Sequence, residues 1–246
     1  MYTKYSHYGW RARIGLIAPS LNVVMEPEFI RMMPEGVSLH TTRVLLQGKA
    51  TAESYLAMAE ATSRAATELG MTDPDAIAYG CTSGSIIEGE GGITRRIQRA
   101  AGNVRVVTTA GAVLQALRAL GLRRVAVATP YLEFVNREER QYLESNGFEV
   151  TRILGLEMGH DEAERKMIGR QPPGIAYRIG REACTPDADG LFISCTNFAT
   201  LPIIEQLEAE LAKPVVTSNQ ATAWASLREA GIADRLEGAG RLFREA

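Results

Sequence analysis

Short apolar, β-branched runs alternate along the chain with longer stretches in which apolar residues return every three or four positions. The short runs fall at 13–18, 37–46, 76–80, 104–109, 124–129, 148–154, 190–194 and 214–218, and their length and composition predict strands. Between them, 51–69 carries Ala52, Tyr55, Leu56, Ala59, Ala66 and Leu69 at helical spacing, and 111–120 repeats the pattern. Strands separated by helices predict parallel sheets joined by right-handed crossovers.

The two halves of the chain resemble each other in order. Arg13-Ile-Gly-Leu-Ile-Ala-Pro19 matches Arg124-Val-Ala-Val-Ala-Thr-Pro130, and Asp75-Ala-Ile-Ala-Tyr-Gly-Cys81-Thr82 matches Asp189-Gly-Leu-Phe-Ile-Ser-Cys195-Thr196. A third pair sets Val106-Val-Thr-Thr109 and Leu117-Arg-Ala-Leu-Gly121 against Val215-Val-Thr-Ser218 and Leu227-Arg-Glu-Ala-Gly231. Three matches in one order and at similar spacing predict a duplicated α/β lobe. The expected division is an N-terminal lobe of residues 1–112 plus 219–246 and a C-terminal lobe of 113–218, with the active site between them.

Composition narrows the function classes. Of 246 residues, 46% are apolar and 27 basic residues face 29 acidic ones, giving a net charge of −2. That balance, without a Lys/Arg block, provides no footprint for nucleic acid, and no apolar run approaches the roughly 20 residues of a membrane span. The first thirteen residues mix Tyr2, Tyr5, His7, Tyr8 and Trp10 with Lys4, Arg11 and Arg13. They lack the apolar segment of a secretory signal, so a cytoplasmic location is expected. Three cysteines cannot complete a disulfide framework and are expected as thiols. There is no CxxC, and His7, His40 and His160 are isolated in sequence, so no metal site is expected.

Cys81 and Cys195 each follow a strand and precede Thr and small or polar residues, in Cys81-Thr-Ser-Gly-Ser85 and Cys195-Thr-Asn-Phe198. Ligands of parallel sheets bind beyond the carboxyl ends of the strands. Helices opening at Thr82–Ser85 and Thr196–Phe198 would supply anion-binding amides and lower the thiol pKa values. Two lobes facing each other then set a sulfur on each side of a small carboxylate. Cys184, closing a helical stretch before Pro186, reads as structural. The charge runs 137–140 and 162–165 read as solvated helix faces, and the glycine-rich 89–92 as a mobile loop near the cleft.

The paired Cys-Thr motifs, the second running on to Leu201-Pro202, resemble the aspartate/glutamate racemase superfamily over essentially the whole chain. Ala18-Pro-Ser-Leu-Asn22, followed by Met25-Glu-Pro-Glu28, is similar to the Pro-Ser-Ser-Asn loop of its maleate cis-trans isomerase branch. The resemblance implies two similar lobes, each a parallel four-stranded sheet flanked by helices and related by pseudo-twofold symmetry. It also implies a cofactor-independent reaction and a homodimer. It assigns Cys81 as nucleophile toward the alkene of a small dicarboxylate and Cys195 as proton donor and acceptor. Asn22 matches a carboxylate-binding residue and Tyr131 a hydrogen-bonding one, and Ser20, Thr82, Ser83, Thr196, Asn197 and His160 complete the expected substrate contacts. Two departures stand out: Leu21 replaces a serine of the loop, and no asparagine occurs at 159–162, where the branch places a second carboxylate ligand. Maleate, a monoamide and a substituted diacid therefore all remain open as substrates. An amino-acid racemase, an arylmalonate decarboxylase-like enzyme and a non-catalytic carboxylate-binding module are the competing functions.

Overall fold

A computed structural model describes residues 7–246. Met1–Ser6, and with them most of the tyrosines weighed in the N-terminal reading, lie outside the described residues.

Eight strands form two parallel sheets of identical order. The first is β2-β1-β3-β4, from β1 (Ala12–Pro19), β2 (Val37–Val44), β3 (Ala76–Tyr79) and β4 (Arg105–Thr108). The second is β6-β5-β7-β8, from β5 (Arg124–Thr129), β6 (Glu149–Gly155), β7 (Gly190–Ile193) and β8 (Val215–Thr217). The helices are α1 (Met25–Met32), α2 (Ala52–Gly70), α3 (Thr82–Glu88), α4 (Glu90–Ala101), α5 (Thr109–Ala119), α6 (Glu133–Ser145), α7 (Glu162–Ile168), α8 (Pro173–Ala183), α9 (Ile204–Leu211), α10 (Ser218–Glu229) and α11 (Gly240–Glu245).

The central strands β3, β5 and β7 are buried almost end to end, as strands covered on both faces must be, whereas β2 is half-buried along its length as an edge. Helix α2 starts at a capping box in which Thr51 and Ser54 exchange side-chain and backbone bonds. Its buried face is Tyr55, Met58, Ala59, Thr62, Ala65, Ala66 and Leu69; Leu56, expected on that face, is 40% exposed. The polar Thr62 occupies the core position by donating its hydroxyl to Met58 O. Residues 89–92 are not a loop: Gly89, at φ +80°, ends α3 and α4 begins at the next residue.

The lobes share one apolar core. Leu16, Phe29, Val107 and Leu117 of the first half pack in the same cluster as Val127, Phe192, Val216 and Trp224 of the second. Helices α5 and α10 pack against each other in this layer, and α10 also covers β3 and β4 of the first sheet. Helix α11 packs on α9, α10 and β8.

Glu28 of α1 ties the halves together. Its carboxylate is buried and accepts from Thr200 N at 2.8 Å, Leu201 N at 2.9 Å and Asn219 Nδ2 at 2.7 Å. Burial raises its pKa, and these three donors oppose the rise. Glu28→Ala leaves the Thr200 and Leu201 amides without an acceptor inside the protein and Asn219 Nδ2 with only Thr196 O, so the expected loss is about 3 kcal/mol of unfolding free energy, read from denaturant titration.

Candidate active site

The strand order sets equivalent strand ends against one another. The β1 and β5 ends lead to Asn22 and Tyr131; the β3 and β7 ends lead to Cys81 and Cys195. All four residues line one cleft between the strand ends.

Cys81 is the N-cap of α3, a position that normally takes Ser, Thr, Asp or Asn. Its sulfur replaces the usual oxygen, accepting from Gly84 N at 3.3 Å. A Cβ at Gly84 would lie 3.1 Å from that sulfur and 2.8 Å from Met58 Cε, so glycine gives the sulfur its room without displacing Met58. Cys195 is held differently. Its φ of +93° is a left-handed conformation that β-carbon-bearing residues avoid, at a cost of about 1–3 kcal/mol. The strained residue is fixed by Ser218 of α10, whose Oγ accepts from Cys195 N at 3.0 Å and lies 2.9 Å from Thr82 Oγ1. One hydroxyl thus links the two cysteine segments. No helix opens at Thr196, contrary to expectation: Phe198 N closes a turn onto Cys195 O, and helical structure resumes at a 3-10 turn, Leu201–Ile203. The anion cradle expected there is a turn with the Asn197 N–H directed to the Cys195 sulfur.

The thiols are not acidified. Burial pushes Cys81 up to about 11, opposed by the Gly84 N–H and by the Arg165 guanidinium. Burial pushes Cys195 up to about 12, opposed by the Tyr131 hydroxyl and the Asn197 N–H and reinforced by Cys81 and Glu139. The expected lowering by helix N-termini loses because desolvation of a fully enclosed thiolate exceeds what one N–H returns. The causes still rank the pair. A cation and an amide favour the thiolate at Cys81, whereas neighbouring negative charge disfavours it at Cys195.

Of the other expected contacts, Thr82, Ser83, Thr196 and Asn197 also line the cleft. Several of their groups are already engaged across the lobes: Asn22 Nδ2 donates to Thr196 Oγ1 at 3.0 Å, and that hydroxyl donates to Gly80 O at 3.0 Å. Asn22 Oδ1 also accepts from Val24 N and Met25 N, opening α1. The Ser83 hydroxyl bonds to both Tyr55 and Tyr131, and burial holds both phenols neutral. Asn197 Oδ1 accepts from Val23 N, while its Nδ2 is buried without a partner.

Two expected contacts lie elsewhere. Ser20 is exposed and exchanges hydrogen bonds with the backbone of Leu46. His160 is exposed outside the cleft, its N–H donating to Glu164 Oε2 at 2.7 Å. The cleft instead contains Tyr55, whose spacing in α2 marked it as core, and Arg165, which belongs to a charge run read as solvated. Arg165 is 3% exposed.

The other charge run also hides a buried group. Glu139 of α6 is 1% exposed, accepts from Ser194 Oγ at 2.6 Å, and has an unpartnered Oε2. Burial lifts its pKa from 4.5 to about 7. The folded state therefore holds this proton more tightly than the unfolded chain. Its stabilising effect is complete below pH 4.5 and declines as pH rises to about 7, by on the order of 3 kcal/mol. Glu139→Gln is expected to lack that slope, so that the difference between variant and wild-type stability curves measured from pH 4 to pH 8 displays it.

Among the described residues, no helix is long and apolar enough to cross a membrane, and no group of three or more His, Cys, Asp or Glu is placed to hold a metal ion. Residues 14–243 match the family model described as arylmalonate decarboxylase. The arylmalonate decarboxylase of Bordetella bronchiseptica is 31% identical over 237 residues, covering 95% of this chain and 97% of that relative. A maleate isomerase of Pseudomonas putida, crystallised with maleate, superposes with a TM-score of 0.88 at 28% identity, covering 96% of this chain and 98% of its own. A mutant Nocardia farcinica maleate cis-trans isomerase holding a covalently bound succinylcysteine intermediate gives 0.86 at 28% identity, covering 96% and 99%. With residues 14–243 matched by the family model and a 31% identical relative covered over 97% of its length, the chain belongs to the arylmalonate decarboxylase family.

Proposed function

We propose that this protein is a cofactor-independent cis-trans isomerase that converts maleate, or a closely related small unsaturated dicarboxylate, to its trans isomer through a covalent cysteine adduct. The observation that carries the reading is the presence of two thiols with unequal surroundings in one cleft, at equivalent strand ends.

The chemistry follows from that inequality. With one proton shared by the pair, the thiolate falls on Cys81 and the thiol on Cys195. The Cys81 sulfur adds to one alkene carbon; the alkene electrons move toward the other carbon and its carboxylate; that carbon takes the Cys195 proton. The product is a succinyl thioether with a carbon-carbon single bond, which rotates. Cys195, now the thiolate, removes the proton again, the double bond re-forms in the trans geometry and the Cys81 sulfur leaves. The Tyr131 hydroxyl steadies Cys195 while it is charged. Carboxylates are held by the Thr82 and Ser83 amides that open α3 and by the unmet Nδ2 of Asn197.

The succinylcysteine in the Nocardia relative supports the same intermediate here. Cys81 separates this reading from arylmalonate decarboxylation, for which a single thiol suffices, and the mismatch between the thiols separates it from racemisation, which uses two bases in reciprocal roles. Proton NMR of maleate incubated with the purified chain is expected to show fumarate growing in; no fumarate, or exchange of solvent deuterium into aspartate or glutamate instead, overturns it. Cytoplasmic location and a homodimer belong to the same proposal.

A further inference from the structure

We infer that Arg165 is the specificity-determining residue of the cleft: it receives the second carboxylate of the substrate, so that a dianionic cis-diacid is taken in preference to its monoamide. This rests on the isomerase reading above and narrows its substrate class.

Arg165 projects from α7 of the second lobe into the wall shared with both sulfurs. Its Nη1 donates to Gly48 O at 3.3 Å, Lys49 O at 3.1 Å and Ser54 Oγ at 3.3 Å, all in the first lobe. The guanidinium carbon stands 4.7 Å from the centroid of the Tyr55 ring. These contacts fix the side chain, yet Nη2 is buried with no partner, and among the described residues no carboxylate lies within 4.0 Å of the guanidinium. A buried arginine with no ion pair is costly: the Glu162 carboxylate acts on it only from a distance, and carbonyl dipoles, the Tyr55 hydroxyl and a ring face return only part of its hydration. The missing partner is an anion, and the cleft is where one can reach it. The same charge acts on the Cys81 thiol, placing the guanidinium within electrostatic range of the reacting sulfur. A small diacid bonded to Cys81 brings one carboxylate to the α3 amides and leaves the other for Arg165. An amide at that end presents no charge, and its NH₂ meets a donor.

The test uses saturated acids, which occupy the site without turnover. Alkylation of Cys81 by iodoacetamide is followed by peptide mass mapping in the presence of succinate or succinamate. In wild type, succinate is expected to protect at concentrations about a hundredfold lower than succinamate. In Arg165→Gln that ratio is expected to fall to about one, and Arg165→Lys to restore part of it. Comparing the two acids within each protein removes any change in the intrinsic reactivity of Cys81. Equal protection by both acids in wild type overturns the inference without need of a variant, as does an undiminished ratio in Arg165→Gln. Protection that obeys these rules in a chain making no fumarate would sink the isomerase reading and keep the dianion site; protection by neither acid would sink both.

Discussion

Replacing Cys195 by serine is expected to arrest the protein as a covalent adduct, with each chain gaining the mass of one maleic acid at Cys81 and turnover falling at least about 10⁴-fold. A serine hydroxyl is far less acidic than a thiol, so the added carbon takes its proton from water instead, and the alkoxide that would take it back is not reached; addition outruns expulsion and the thioether accumulates. Cys81→Ala is expected to show neither mass gain nor fumarate, because no other sulfur reaches the alkene from that lobe. Intact mass spectrometry with peptide mapping reads both outcomes. An adduct on Cys195, or one that forms without Cys81, would reverse or abolish the assigned roles.

The second large effect concerns pH. Cys81 must lose a proton to act, and burial keeps its pKa at about 11, well above neutrality. At every pH below that value the thiolate fraction grows tenfold per unit, so kcat/KM for maleate is expected to climb about a hundredfold from pH 7 to pH 9. Cys195, pushed to about 12, stays protonated across this window and remains able to donate. The alkylation rate of Cys81 is expected to rise with the same slope. A flat profile between pH 7 and pH 9 would mean that the enclosed thiol is already ionised and that its surroundings act opposite to the geometry described here.

How legibly the sequence foretold this molecule depends on what each residue had to satisfy. The predicted strands lie within a residue or two of those observed because a parallel strand covered on both faces must carry an apolar run, as 125–128 and 191–193 do. The duplication was legible through the strand ends, where Cys-Thr recurs. Arg165 and Glu139 were not. Each sits among charges that read as a helix surface, and the features that bury them, the Gly48 and Lys49 carbonyls and the Ser194 hydroxyl, come from remote parts of the chain. His160 was misplaced by the converse error: its position beside a missing asparagine suggested the site, but α7 turns the cleft-facing role over to a residue more than one turn further on. Ser218 carried no local signal either, since a serine opening a helix is commonplace and its link to both cysteines exists only once α10 has crossed to the first sheet.

The backbone at Cys195 has an evolutionary implication. A residue held at φ +93° would be relieved by glycine, so selection for folding alone would discard the sulfur there. Lineages that abandon the chemistry should therefore drift toward glycine at 195 sooner than at 81, where ordinary cap residues fit, which makes the pair a gauge of whether a descendant still works as a catalyst.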